Sequence, residues 1–188
     1  MDVRIDAQAK FTLKQTDPSS AWTGITVYAE YGSERLSVSD FPPLPTVNTV
    51  PAIQGGDGYW RGELIDGKWA MVSRPEDSSP YIYYNVKDTF LFDIDKDVTL
   101  SVEYYDPGLP QEIGIDYDSH LDGPGDGAFH RVALNTTGEK GWRTQTVVLP
   151  RAWFKNRENG ATDLRLSGPK GAPIRLGRVE IVGETPGQ

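Results

Sequence analysis

An all-β fold, with antiparallel strands packed as a two-sheet β-sandwich, is the class this sequence predicts, and three observations carry it. Short runs alternate apolar and polar residues with the period of two that a half-buried strand requires. Turn chemistry recurs between these runs, in a chain of 188 residues with 20 Gly and 14 Pro. Helical periodicity is nearly absent, and only residues 150–158, PRAWFKNRE, offer a helical turn, with Pro150 near its start.

Residues 3–13 and 22–31 read as a first pair of strands, with Asp17-Pro18-Ser19-Ser20 as the turn between them. Residues 40–51, DFPPLPTVNTVP, are too proline-rich to continue a sheet and read as a stiff extended connector. The expected organisation is therefore an N-terminal β-hairpin segment and Pro-rich connector over 1–45, followed by a sandwich domain over 46–188. Within that domain the runs at 59–65, 68–73, 81–86, 97–105, 111–118, 129–134, 142–149, 163–166 and 174–182 make about nine strands at sandwich spacing. Asp66-Gly67 is a two-residue hairpin signal with Trp60 and Trp69 on its arms.

Composition removes several classes of function. With 19 Lys plus Arg against 27 Asp plus Glu, the formal net charge is −8, and its field repels nucleic acid as a partner. Arg151, Lys155, Arg157 and Arg165 still cluster along the chain, so an acidic polysaccharide stays open. The absence of cysteine removes disulfides, thiolate metal sites and a cysteine nucleophile. No apolar run is long enough for a membrane helix, and the charged opening MDVRID does not read as a signal peptide. There is no P-loop, no G-x-G-x-x-G, no H-E-x-x-H and no G-x-S-x-G.

Residues 97–118, DVTLSVEYYDPGLPQEIGIDYD, are the most regular stretch and read as two alternating strands turning at Asp106-Pro107-Gly108. Val98, Leu100, Val102, Tyr104, Ile113, Ile115 and Tyr117 form the expected core face. If the two strands pair, with Tyr105 opposite Glu112, then Glu103, Tyr105 and Asp116 share the other face and offer acceptors and an aromatic ring to a sugar. Tyr59, Trp60 and Trp69, at the Asp66-Gly67 hairpin, suit a stacking platform, whereas Trp142 reads as core. In DYDSHLDGPGDG, Asp116, Asp118, Asp122 and Asp126 supply oxygen ligands of the kind calcium takes, among glycines that free the backbone. The EF-hand spacing fails there, because Gly127 stands where a bidentate Glu is needed; the alternative is a solvated acidic loop. His120 adjoins this loop and joins the ligand-binding candidates.

From 81 to 182 the order of features resembles the galactose-binding-like jelly rolls that serve as carbohydrate-binding modules, or as accessory sandwiches, in secreted polysaccharide-degrading proteins. The residues are YIYYNV at 81, the 97–118 pair, GWRTQTVVLP at 141, FKNRENGATDLRL at 154 and IRLGRVEIV at 174. The resemblance implies a jelly roll, a non-catalytic role in binding a polysaccharide or oligosaccharide, a catalytic domain or parent chain as neighbour, and an extracellular or periplasmic setting. It also implies a structural calcium between chain segments near the domain's ends, with no motif to fix the ligands. Two other readings stand beside it: a structural or protein-interaction sandwich, and a small jelly-roll lyase or glycoside hydrolase, which a cleft holding a His with a Tyr and an Arg would favour.

Overall fold

The computed structural model describes residues 2–5, 11–13, 35–37, 49–52 and 56–184. Among these the regular elements are strands, apart from one short 3-10 turn at Pro75–Asp77. In chain order they are β1 (Asp2–Ile5), β2 (Phe11–Leu13), β3 (Arg35–Ser37), β4 (Thr49–Ala52), β5 (Trp60–Ile65), β6 (Lys68–Ser73), β7 (Tyr81–Val86), β8 (Lys96–Asp106), β9 (Glu112–Tyr117), β10 (His130–Asn135), β11 (Gly141–Ala152), β12 (Leu164–Ser167) and β13 (Arg175–Glu184).

Two five-stranded antiparallel sheets make the sandwich: a front sheet in the order β10-β9-β12-β7-β4 and a back sheet in the order β11-β8-β13-β6-β5. From β6 to β13 the chain changes sheet at every step except β9 to β10, which is the interleaved winding of a jelly roll. β4 and β5 extend the two sheets at their edges. β1, β2 and β3 form a separate three-stranded sheet with β1 in the middle, so the run expected as one strand over 3–13 divides in two. The partner run at 22–31 and its turn lie outside the described residues.

The inward residues of both sheets alternate as the sequence requires and pack against one another. Ile82, Tyr84, Ile113, Ile115, Tyr117, Leu164 and Leu166 come from the front; Val98, Leu100, Val102, Tyr104, Leu149, Leu176 and Ile181 come from the back. β8 and β9 are thus adjacent in sequence but not paired. Their apolar faces meet across the core, and Asp106-Pro107-Gly108 is a corner between sheets rather than a hairpin turn. The buried carboxylate of Asp106 fixes that corner by accepting from Gly108 N at 2.8 Å, Gly138 N at 2.9 Å and the Thr137 hydroxyl at 3.1 Å.

Three local expectations meet different outcomes. Asp66 and Gly67 adopt φ of 50° and 76°, the two positive values of a type I′ turn, and join β5 to β6 as a hairpin. Thr49–Ala52, expected as connector, pairs with β7 despite Pro51. It can do so because β4 is an edge strand, where a missing backbone donor faces away from the ladder. The helical turn at 150–158 is absent. β11 runs on to Ala152, and Arg151, Phe154 and Asn156 then take positive φ, while backbone donors go to carboxylates: Arg151 N to Asp97, Lys155 N to Asp118 and Asn156 N to Asp163, each at 2.8 Å. Side-chain acceptors distant in sequence outcompete the local helical bonds.

Candidate binding site on the front sheet

The strand register brings four polar side chains into one row across the outer face of the front sheet. Tyr83 of β7 lies opposite Arg165 of β12, Arg165 opposite Asp116 of β9, and Asp116 opposite Arg131 of β10. Their neighbours on the three inner strands, Ile82 and Tyr84, Leu164 and Leu166, and Ile115 and Tyr117, point into the core, so the alternation itself turns this row outward. Asp116 is bound from both sides: Arg131 Nη1 donates to Oδ1 at 3.1 Å and Arg165 Nε to Oδ2 at 2.9 Å. Arg165 Nη1 also donates to the Tyr83 hydroxyl at 3.0 Å. That hydroxyl accepts from Asn159 Nδ2 and donates to Asp57 Oδ1, both at 3.1 Å.

Aromatic rings hold Arg165 in place. Its guanidinium lies 3.9 Å from the Tyr81 ring and 4.5 Å from the Phe129 ring, within cation–π range of each. Burial works against its charge, but the Tyr83 hydroxyl and Asp116 hold the proton more tightly still, so the net shift is upward. Gly114, in the next row of β9, makes room for the other guanidinium. A Cβ there would stand 1.8 Å from Arg131 Nη2, so only glycine lets the side chain lie flat on the strand.

Above this row is a depression of about 560 Å3 lined by Asp116, Asp122, Gly123, Pro124, Phe129, His130, Arg131, Asn159 and Arg165. His130 Nδ1 is 3.0 Å from the Asp122 carbonyl oxygen, which can only accept, so Nδ1 carries the proton and ties the loop to β10.

The acidic, glycine-rich loop after β9 does converge its acceptors, and a side chain of the protein sits among them. Arg157 donates from Nε to Asp118 Oδ1 at 2.8 Å, from Nη1 to the Asp126 carbonyl at 3.1 Å and from Nη2 to the Ser119 carbonyl at 2.9 Å. The same guanidinium lies 4.0 Å from the Trp153 ring, against which His120 also stacks at 4.1 Å. Among the described residues no three His, Asp or Glu side chains are placed to share a metal ion. The four expected calcium ligands are dispersed: Asp116 in the sheet row, Asp118 buried against Arg157, Asp122 in the lining of the depression, and Asp126 exposed with its carbonyl on Arg157.

Of the expected ligand-binding residues, only Asp116 lines the depression. Glu103 and Tyr105 lie on the outer face of the back sheet, the opposite side of the sandwich, because β8 and β9 belong to different sheets. His120 is held by Trp153 and by the Ile94 carbonyl, 2.9 Å from Nε2. Tyr59 is exposed just before β5, and Trp69 is half-buried on β6. Trp60 is a core residue at 6% exposure, since it begins β5 on the inward face. Trp142, expected in the core, instead covers the outer face of the back sheet. It contacts Tyr105 edge-on at 5.7 Å, donates to the Ile65 carbonyl at 3.0 Å and carries Lys68 over its ring at 4.9 Å.

Sequence reasoning missed Arg131, Phe129 and Asn159, and met Arg165 only as part of a basic run. A signal was present for one of them, since Arg165 interrupts LRL, and also for Gly114, which interrupts IGI; each is an outward position between core residues. Glu158 was missed too. It is 4% exposed, and neither carboxyl oxygen has a hydrogen-bond partner among the described residues. Burial raises its pKa well above the ordinary value; Arg165 opposes this, while Asp116, Asp163 and Asp118 add to it. Asp163 is pushed up to about 7 by burial, against the backbone donors of Asn156 and Val86. Comparison with protein-family models, curated proteins and solved structures returns no match, so the geometry of these residues carries the functional reading.

Proposed function

We propose that this protein is a non-catalytic carbohydrate-binding module whose glycan lies across the outer face of the front sheet. The observation that supports this most is the depression itself. It sets the Phe129 ring beside donors from Arg131, Arg165 and Asn159 and an acceptor in Asp122. A pyranose needs both, an aromatic surface for its apolar face and hydrogen-bonding groups of either kind for its hydroxyls. The site is open to water, so the affinity of one module for one chain segment is modest. Its role on this reading is to hold a catalytic domain or parent chain close to a polysaccharide, in an extracellular or periplasmic setting.

A polysaccharide lyase is the second reading, favoured by His130 and Arg165 lining one depression, with the buried Tyr83 hydroxyl bonded to Arg165. The phenol weakens it. Burial raises the Tyr83 pKa against the bonds from Arg165 and Asn159, and its proton is committed to Asp57, so it is a poor base.

Affinity electrophoresis of the full chain through gels of neutral and acidic polysaccharides separates the two. At least one polysaccharide is expected to retard the protein, and Phe129→Ala to weaken that retardation about tenfold in a domain that still unfolds cooperatively. If none retards it, the binding-module reading is lost; if one is cleaved with the absorbance of a new conjugated double bond, the lyase reading replaces it.

A further inference from the structure

Resting on the reading of the depression as a sugar site, we infer that the residue it selects is a uronate, seated by its carboxylate on the Arg131–Arg165 pair. Asp116 is one carboxylate shared between two guanidiniums, so the row keeps one formal positive charge in a chain whose net charge is −8. Donors remain as well. Arg131 spends only Nη1 and Arg165 only Nε and Nη1, so Arg131 Nε and Nη2 and Arg165 Nη2 have no acceptor among the described residues.

These donors are placed in advance. Gly114 lets the Arg131 guanidinium lie flat on β9, and Tyr81 and Phe129 flank that of Arg165. Two fixed, planar donor groups match the two oxygens of a carboxylate better than they match a single hydroxyl. Phe129 then lies beside the position of the sugar ring. Besides Asp116, Asp122 in the lining, Asp57 at the Tyr83 hydroxyl and Glu158, buried within electrostatic reach of Arg165, are the acidic groups of the described residues nearest an anion here. The net charge opposes approach over longer distances, but beyond about 8 Å physiological salt screens that repulsion while the close pair is little affected.

Isothermal titration calorimetry of the full chain tests this with short oligogalacturonates and oligomannuronates, with the same oligomers reduced at the carboxyl to primary alcohols, and with neutral oligosaccharides. At least one oligouronate is expected to bind, about tenfold or more tighter than its reduced counterpart. Arg131→Gln is expected to abolish that preference. Gly114→Ala keeps both charges, displaces the Arg131 guanidinium and should abolish it too, with melting curves of both variants confirming a folded domain. If reduced and parent oligomers bind equally, or only a neutral oligosaccharide binds, the uronate inference is overturned and the sugar reading survives. If nothing in the panel binds, both fall. A preference that persists in both variants overturns the seat on Arg131 and Arg165.

Discussion

The outer faces of the two sheets solve the same packing problem differently. Each has a glycine in a central strand, Gly114 in β9 and Gly177 in β13, over which a longer side chain from the next strand lies. On the back sheet the space above Gly177 is filled by Glu103 and Trp142, at 2.4 and 3.1 Å from where a Cβ would be. Those groups are closed off in turn: Glu103 pairs with Lys68 and accepts from Arg178 N at 3.1 Å, and the Trp142 indole donates to Ile65. On the front sheet the space above Gly114 is filled by Arg131, whose side chain is 48% exposed and keeps donors to spare. The back face is a finished surface, and the front face is unfinished in one place. A polar sheet face becomes a candidate site through what its bonding leaves over.

The sharpest way to break this contrast is to remove the residue that organises the front row. Arg165→Ala strips the buried Asp116 of its better-shielded partner and leaves the Tyr83 hydroxyl short of a donor. The expected loss is about 3 to 5 kcal/mol in urea unfolding. A loss under about 1 kcal/mol would show that the row is not structural. The tryptophans come next. Trp60→Ala should cost about 3 to 5 kcal/mol as a core truncation, and Trp142→Ala, half-exposed on the back face, only about half as much. Equal melting temperatures for these two variants would place Trp142 in the core after all.

The glycines compare the faces directly. Gly177→Ala must dislodge Glu103 from two partners and is expected to cost about 1 to 2 kcal/mol; Gly114→Ala moves only a half-exposed arginine and should cost less than about 1 kcal/mol. The reverse order in thermal melts would mean that Arg131 is the more tightly built of the two. The last expected effect, a gain rather than a loss, is that of Glu158→Gln. Because the folded-state pKa of Glu158 is raised, the folded protein keeps that proton above the pH at which the unfolded chain releases it. Stability from this group is intact below about pH 4 and lost as pH rises towards the folded value, with Asp163 adding a similar loss up to about pH 7. Glu158→Gln should therefore raise the melting temperature at pH 7 to 8 but not at pH 4. The new amide is itself unpartnered, which limits the gain to about 1 kcal/mol. A gain of equal size at both pH values would place the cause outside titration.

Local chemistry was legible in the sequence, and pairing across distance was not. Asp66-Gly67 specifies its own turn, and the alternation from Val98 to Tyr104 and from Ile113 to Tyr117 identifies both strands and their inward faces. Nothing in that alternation says whether two apolar faces lie side by side or opposite. The corner at Asp106 decides this, through donors near residue 138 that pattern reading cannot reach. The site was hidden for the same reason. Asp116 could be picked out as an acid, but its partners stand 15 and 49 positions away. Asp118 likewise reads as an unpaired acid until Arg157, 39 positions on, is known to be its neighbour.

That guanidinium has a physiological consequence. A loop closed by a dissociable ion is ordered only as far as the surrounding fluid supplies the ion, and its stability follows that concentration. Arg157 is tethered to the loop it closes, so its local concentration is set by chain geometry and cannot be diluted. The loop bordering the depression is accordingly expected to keep its shape in calcium-poor and calcium-rich surroundings alike, and a chelator should leave the melting temperature where it was.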